Sequence, residues 1–438
     1  PQVRYREVAE LKFPMLEEAY RHFRRQHLAA ENSLHARAFR EFQRERGATL
    51  RRFATFHVLA ESHDEFDWRS WPANERDPAS ETVASFVLER EERIEFHEYL
   101  QWQCDGQLRA AAAKAHAAGM SIGLYRDLAV GADANGAETW SAQRTIVAGA
   151  AVGAPPDQLN LDGQNWGFPP PDPRAWQAEN YVSFRELLRA NMRHAGAMRM
   201  DHVLGLVRLW WIPAGARARD GAYQRYPWSE LLAVLAETSR QERCLVIGED
   251  LGTVPQGLRE AMRGNGILSC RLLYFERRGR NFAAPQEYPP EALVAAATHD
   301  LPTLAAWWHG DDIALRDRLG LWPDAGQRAS ECNARIEDRE ALLRALREQG
   351  IANEEDGEEA PIAAVHRFLA RTPCRLLMVQ LEDALGARTQ LNVPGTTDEY
   401  PNWRLRLPCE LNEVLSHPRM RRIAAAMHEE GRSDRQPP

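Results

Sequence analysis

The chain has 438 residues, 44% of them hydrophobic and 27% charged, with a formal net charge of −8. That balance supports a large buried core and argues against the concentrated basic surface of a general nucleic-acid binder. No apolar run is long enough to predict a membrane span, and the six cysteines lack C-x-x-C spacing, which fits a reducing cytoplasm better than a zinc ribbon or a disulfide scaffold.

Residues 1–118 read mainly as helix. FPMLEEAYRHF and LHARAFREFQRERGATLRRFATFHVLAE repeat apolar residues at three- and four-residue spacing, and EERIEFHEYLQWQCDGQLRAAAAKAHAAG continues the pattern to Gly119. DWRSWPANERDP between them reads as a loop. MSIGLYRDLAVG, 120–131, reads as a first strand. An irregular segment follows over 132–172, then helix from Trp176 to Ala195. AMRMDHVLG is a second strand and CLVIGEDLG, 244–252, a third. VPQGLREAMRG reads as helix. LSCRLLYFE, 268–276, is a fourth strand, and LVAAATHD, 293–300, a fifth, although its alanines suit a helix equally well. Charged helix fills 303–370, with an acidic loop at 351–361. CRLLMVQLEDAL, 374–385, is a sixth strand, and a last helix runs through HPRMRRIAAAMHEEG. Strands alternating with helices predict a parallel sheet with helical crossovers.

Three of these strands end on carboxylates. The second ends Arg199-Met200-Asp201-His202, the third Gly248-Glu249-Asp250, and the fifth Thr298-His299-Asp300. In a parallel barrel all C-terminal strand ends share one face, so Asp201, Glu249 and Asp300 would meet in one pocket. A metal site is one use for such a set, since Asp, Glu and His are all ligands. Against it, no His pair sits at helical ligand spacing. Glycosyl transfer is the other use: one carboxylate attacks, one carboxylic acid protonates the leaving oxygen, and a separation of roughly 5–5.5 Å gives retention. An adjacent arginine keeps the attacking carboxylate ionised. Each motif alone has a plainer reading. R-x-D is commonly a salt bridge, G-E-D-L-G a helix start and T-H-D an N-cap. Their succession at three strand ends favours a site.

The order R-x-D, then E, then H-D resembles the α-amylase clan, and the finer match resembles the 4-α-glucanotransferases, also called amylomaltases. RMDHVLGL with WIPAG resembles that family's nucleophile segment, GEDLGTVP its acid/base segment and ATHD its third-carboxylate segment. VAGAPPD…DGQNWGFP from Val147 resembles its substrate loop, LNVPGTTDEYPNW at 391–403 its C-terminal active-site loop, and GLYRDLAVG its third barrel strand. The resemblance implies that Asp201 is the nucleophile, Glu249 the acid/base and Asp300 the transition-state stabiliser. It further implies that Arg199 holds Asp201 anionic, His299 binds sugar hydroxyls, Trp166 offers a stacking face, and Asn392 and Asp133 contact substrate. Asp127 is left open between the catalytic face and a structural role. His202 is expected to orient neighbours, and Trp210-Trp211 to be core.

The implied fold is a TIM (β/α)8-type barrel with strands three to eight present, the first two missing from this sequence, and helical insertions. A helical segment would span 1–118 and the barrel strands 119–425, with active-site loops at 132–172 and 386–404 and a flexible tail at 426–438. With neither an initiator Met nor the upstream strands, the chain is expected to belong to a longer protein and to be less stable without the rest. The implied reaction is retaining transfer of an α-1,4-glucan segment between maltodextrins in the cytoplasm. It needs no metal or organic cofactor and no nucleic-acid or membrane partner. An α-glucan hydrolase or an inactive glucan-binding fragment is the alternative.

Overall fold

The computed structural model describes residues 2–30, 33–156, 162–351 and 359–432. The chain forms two compact units, one of Tyr5–Ala261 and one of Met262–Pro438 joined by Pro1–Arg4. This differs from the expected break near residue 118. The N-terminal helices and the first three parallel strands lie in one unit, because long-range packing rather than composition sets the boundary.

In the first unit, helices Tyr5–Phe23, Leu34–His63 and Glu91–Ala117 carry the predicted three- and four-residue apolar repeat. Their apolar faces bury Tyr20, Phe23, Phe39, Phe96 and Tyr99 in one cluster. A second cluster gathers Phe56, Leu59, Trp71 and Trp140. Ser33 caps Leu34–His63 by accepting the Ala36 N–H, and Gly47 kinks that helix at φ 53°.

Three parallel strands follow: β1 (Tyr125–Leu128), β4 (Ala197–Met200) and β7 (Leu245–Gly248). Central β4 pairs with both, Arg126 opposite Met198 and Met198 opposite Val246. Gly196 enters β4 where an added Cβ would lie 1.7 Å from the Ile122 carbonyl oxygen, so only glycine fits that approach. Helices Val182–Met192 and Trp228–Glu242 bury Phe184, Leu188, Leu231 and Leu235.

The segment at 132–172 is more ordered than its composition predicted. It holds β2 (Ala150–Ala154) and β3 (Gln164–Asn165), which join β5 (Arg208–Pro213) and β6 (Ala222–Arg225) in an antiparallel sheet. Alanine and glycine give β2 little strand propensity. Its pairing with β5, about sixty residues on, supplies what local sequence does not.

In the second unit, β8 (Leu268–Leu272), β11 (Ala292–Ala295) and β12 (Leu376–Met378) form a parallel ladder, with β9 (Arg277–Arg278) and β10 (Asn281–Phe282) as a small hairpin. The predicted sixth strand is cut short: Leu381–Leu385 is helix, its first turn carrying Glu382 and Asp383 where the helix dipole favours acids. Trp307, Trp308, Phe368 and Leu369 fill the core with Ile423 from helix Pro418–Glu429. Residues 426–429 are therefore helix with Ala426 buried, not tail; 433–438 and most of the acidic loop lie outside the described residues. Among the described residues no helix is long and apolar enough to cross a membrane.

Candidate active site

Register alone sets one cluster of candidate residues. Asp127 on β1 lies opposite Arg199 on β4, and Met200 opposite Gly248 on β7. Partners in a parallel ladder share a face, and so do residues two apart on one strand. The pairing runs beyond the strand ends: the Asp201 N–H donates to the Leu128 carbonyl at 3.0 Å and the Glu249 N–H to Met200 at 2.9 Å. Asp127, Arg199, Asp201 and Glu249 are thus delivered to the C-terminal end of one three-stranded ladder.

Arg199 joins them. Its side chain is 10% exposed. Nη1 donates to both carboxylate oxygens of Asp127 at 2.8 and 2.9 Å, and Nη2 to Oδ1 of Asp201 at 2.6 Å. Burial alone would make the guanidinium easier to deprotonate, but Asp201 and Asp127 outweigh burial and raise its pKa. A permanent positive charge therefore sits against Asp201. Asp127 is the second anchor of that charge.

Glu249 is treated oppositely. It is 7% exposed, and burial, reinforced by the charge of Asp201, pushes its pKa up to about 7. Opposing this, the N–H of Leu251 donates to Oε1 at 2.8 Å and the N–H of His202 to Oε2 at 2.9 Å. These bonds fix the carboxyl's direction. Its neighbour Asp250 is fully buried and takes Arg259 Nε at 2.6 Å, a structural contact.

His202 stands at φ 45°, which turns its N–H toward Glu249. Burial lowers its imidazole pKa to about 4, so the ring is neutral near pH 7. That ring meets Trp166 edge-on, centroids 5.2 Å apart. Trp166 is held by its N–H on the Val152 carbonyl at 2.9 Å and by Nε1 on Gln164 at 3.2 Å, so β2 and β3 position the indole.

The second unit holds another cluster. Asp300 follows β11, with His299 Nε2 3.3 Å from its Oδ2. Asn392 Nδ2 donates to Asp300 Oδ1 at 2.7 Å, and Gln390 Nε2 to the Asp300 carbonyl at 2.9 Å. Trp403 lies against His299, centroids 4.8 Å apart.

A family model described as 4-alpha-glucanotransferase matches residues 1–412. The chain belongs to that family. It is 40% identical over 404 residues to the 4-alpha-glucanotransferase of Mycobacterium tuberculosis, covering 89% of this chain and 55% of that protein. It is 35% identical over 431 residues to the 4-alpha-glucanotransferase of Haemophilus influenzae, covering 95% and 61%. The crystal structure of amylomaltase from Corynebacterium glutamicum aligns with a TM-score of 0.85 at 32% identity, over 98% of this chain and 60% of that one. Amylomaltase from Streptococcus agalactiae in complex with acarbose aligns at 0.80 and 21% identity over 98% and 80%, a likeness of fold. The fold is accordingly α/β and barrel-like. The chain spans little more than half the length of the M. tuberculosis relative.

In this member of the 4-alpha-glucanotransferase family, the residues named from sequence fall into two groups. Asp201, Glu249, Arg199 and Trp166 cluster in the first unit, where His202 and Asp127 join them. Asp300, His299 and Asn392 cluster in the second. Asp133, expected at substrate, is exposed and accepts the Asn135 N–H at 2.9 Å, closing the turn after β1. Asn392, expected on a sugar, has its amide on Asp300. Trp210 and Trp211 are half-buried on β5 rather than core, Trp210 packing edge-on against Tyr223 at 5.0 Å. Gln390 was missed; its only signal was lying two residues before Asn392 in the resembling loop. The role of Asp127 became legible only through strand register.

Proposed function

We propose that this chain carries the chemistry of a retaining 4-α-glucanotransferase acting on maltodextrins. The observation that carries the reading is the contrast between two neighbouring carboxyls. Asp201 rests on a buried guanidinium that favours the anion, and Glu249 is buried with a pKa near 7 and can hold a proton. One nucleophile and one acid are what a double displacement at a sugar requires.

In the first step Asp201 attacks the anomeric carbon and the bond to the glycosidic oxygen breaks. Glu249 gives its proton to that departing oxygen. The donor segment is then esterified to Asp201. In the second step Glu249, now a carboxylate, takes the proton from the 4-hydroxyl of an acceptor glucan. That oxygen attacks the anomeric carbon and Asp201 leaves. Asp300 is assigned to the positive charge that develops on the ring, with Asn392 and Gln390 fixing its carboxyl and backbone. Arg199 holds Asp201 ionised, Asp127 holds Arg199, His299 binds hydroxyls, and Trp166 supplies an apolar face. Asp133 is kept as a substrate contact. Transfer outruns hydrolysis when acceptor sugar excludes water from the glucosyl-enzyme. The reading needs no metal or organic cofactor, and we place the protein in the cytoplasm. We also read the parallel strands as belonging to a (β/α)8-type barrel.

Maltotriose is the test. Glucose with a ladder of longer oligosaccharides supports the proposal. Glucose and maltose alone replace it with an α-glucan hydrolase. Maltoheptaose binding with no product, in a sample folded by circular dichroism, replaces it with a glucan-binding unit.

A further inference from the structure

The segment 390–403 brings two side chains to the end of β11. Asn392 reaches Asp300, and at the other end Trp403 reaches His299. The second delivery is conformationally expensive. Trp403 adopts φ 60°, a left-handed conformation uncommon for a bulky residue.

A tight set of bonds holds it there. The Trp403 N–H donates to the Leu391 carbonyl at 3.2 Å, and the Asn402 N–H to Tyr400 at 2.8 Å. Asn402 pins the loop from within: its Oδ1 accepts the Val393 N–H at 2.9 Å and its Nδ2 donates to Thr396 Oγ1 at 2.9 Å. Yet Trp403, so held, is 49% exposed. Strain maintained to present an aromatic to solvent beside polar side chains points to a ligand, since strained positions cluster at ligand sites.

The neighbours indicate which ligand. A pyranose has a C–H face that packs on an aromatic ring and an edge of hydroxyls that needs donors and acceptors. Trp403 offers the first, and His299 with Asp300 the second, within one cluster.

We propose that Trp403 is a sugar-contacting residue, its exposed indole stacking on the glucosyl ring whose hydroxyls His299 and Asp300 bind. This rests on the glucan reading of the site. Trp403 therefore contributes to glucan affinity, beyond holding His299 in place.

Trp403→Gly tests it, because glycine adopts the left-handed conformation freely and relieves the strain. Maltoheptaose binding is measured by calorimetry in the Asp201→Asn background, where turnover is removed, and maltotriose kinetics in the otherwise unchanged full chain. The expected result is a Kd about 10- to 100-fold weaker, a similar loss of kcat/KM falling mainly on KM, and thermal stability equal to or above that of the parent. Trp403→Phe, which keeps a smaller ring, should recover part of the affinity. Unchanged Kd in Trp403→Gly, or a loss confined to kcat that Phe does not recover, overturns the proposal, as does failure of the parent to bind maltoheptaose. Binding that depends on Trp403 in a chain that never transfers glucose would uphold this inference and reject the transferase reading.

Discussion

The backbone N–H of His202 donates to Oε2 of Glu249 at 2.9 Å. The residue after Asp201 thus orients the Glu249 carboxyl. His202 must stand at φ 45° to do so, and the bond links the end of β4 to the end of β7.

Glu249→Gln keeps an acceptor for that N–H but cannot titrate. Wild-type kcat/KM should fall on the alkaline side near pH 7, as Glu249 loses the proton needed for leaving-group departure. A flat profile from about pH 4 to 9 would contradict the acid role. Stability should respond as well. The folded-state pKa is raised from 4.5 to about 7, so the unfolded chain ionises first as pH rises. Wild type keeps this contribution in full below pH 4.5, loses it between 4.5 and 7, and stays without it above. Glu249→Gln should therefore gain up to roughly 3 kcal/mol on wild type across that window. Parallel melting curves at pH 5 and pH 8 would refute the linkage.

Asp201→Asn should abolish transfer while leaving the fold intact, with a loss of about 10⁴-fold or more. Residual activity within about tenfold of wild type is incompatible with a covalent nucleophile. Trapping with an activated glycosyl fluoride and mass spectrometry of the intact chain checks it directly: the ester should form on wild type and be absent from the variant.

Asp127→Ala removes both contacts on Arg199 Nη1 and leaves Asp201 to hold the guanidinium alone. Misplacing a supporting group by about 1 Å commonly costs about 100-fold, so kcat should drop roughly 10- to 100-fold. The Asp127 side chain is 45% exposed, which predicts little change in melting temperature. Unaltered kcat would show that Asp201 suffices to position Arg199.

Asp383 is fully buried, and its Oδ1 accepts the Leu304 N–H at 2.6 Å, capping the helix that follows Asp300. Burial pushes its pKa up to about 7. Here too the folded state holds the proton more tightly, so stability falls as pH rises from the ordinary carboxylate range to about 7. Asp383→Asn keeps the acceptor without the charge and should be the more stable protein at pH 8, with little difference at pH 4. Asp383→Leu loses the acceptor as well as the charge and should be less stable than Asp383→Asn by about 1–3 kcal/mol at both. Chemical denaturation at the two pH values separates these outcomes.

The strand ends were readable because short apolar runs stop on R-x-D, G-E-D and T-H-D, and the long helices because their apolar spacing persists over many turns. The sheet of β2, β3, β5 and β6 was not readable. AAVGA has no strand signature, and its partner is far along the chain. LEDAL continues the apolar run CRLLMVQ and reads as strand with it, although Glu382 and Asp383 in its first turn favour the helix that forms.

The sequence by itself determined the candidate residue types, their order and the apolar runs that lead to them, because local hydrophobic pattern and side-chain chemistry are properties of neighbouring residues. Only the tertiary structure decided that Asp127 anchors Arg199, that Glu249 is dry enough to hold a proton near pH 7, and that Asn392 turns toward Asp300. Register, burial and the field of nearby charges arise between segments distant in the chain, and no local pattern encodes them.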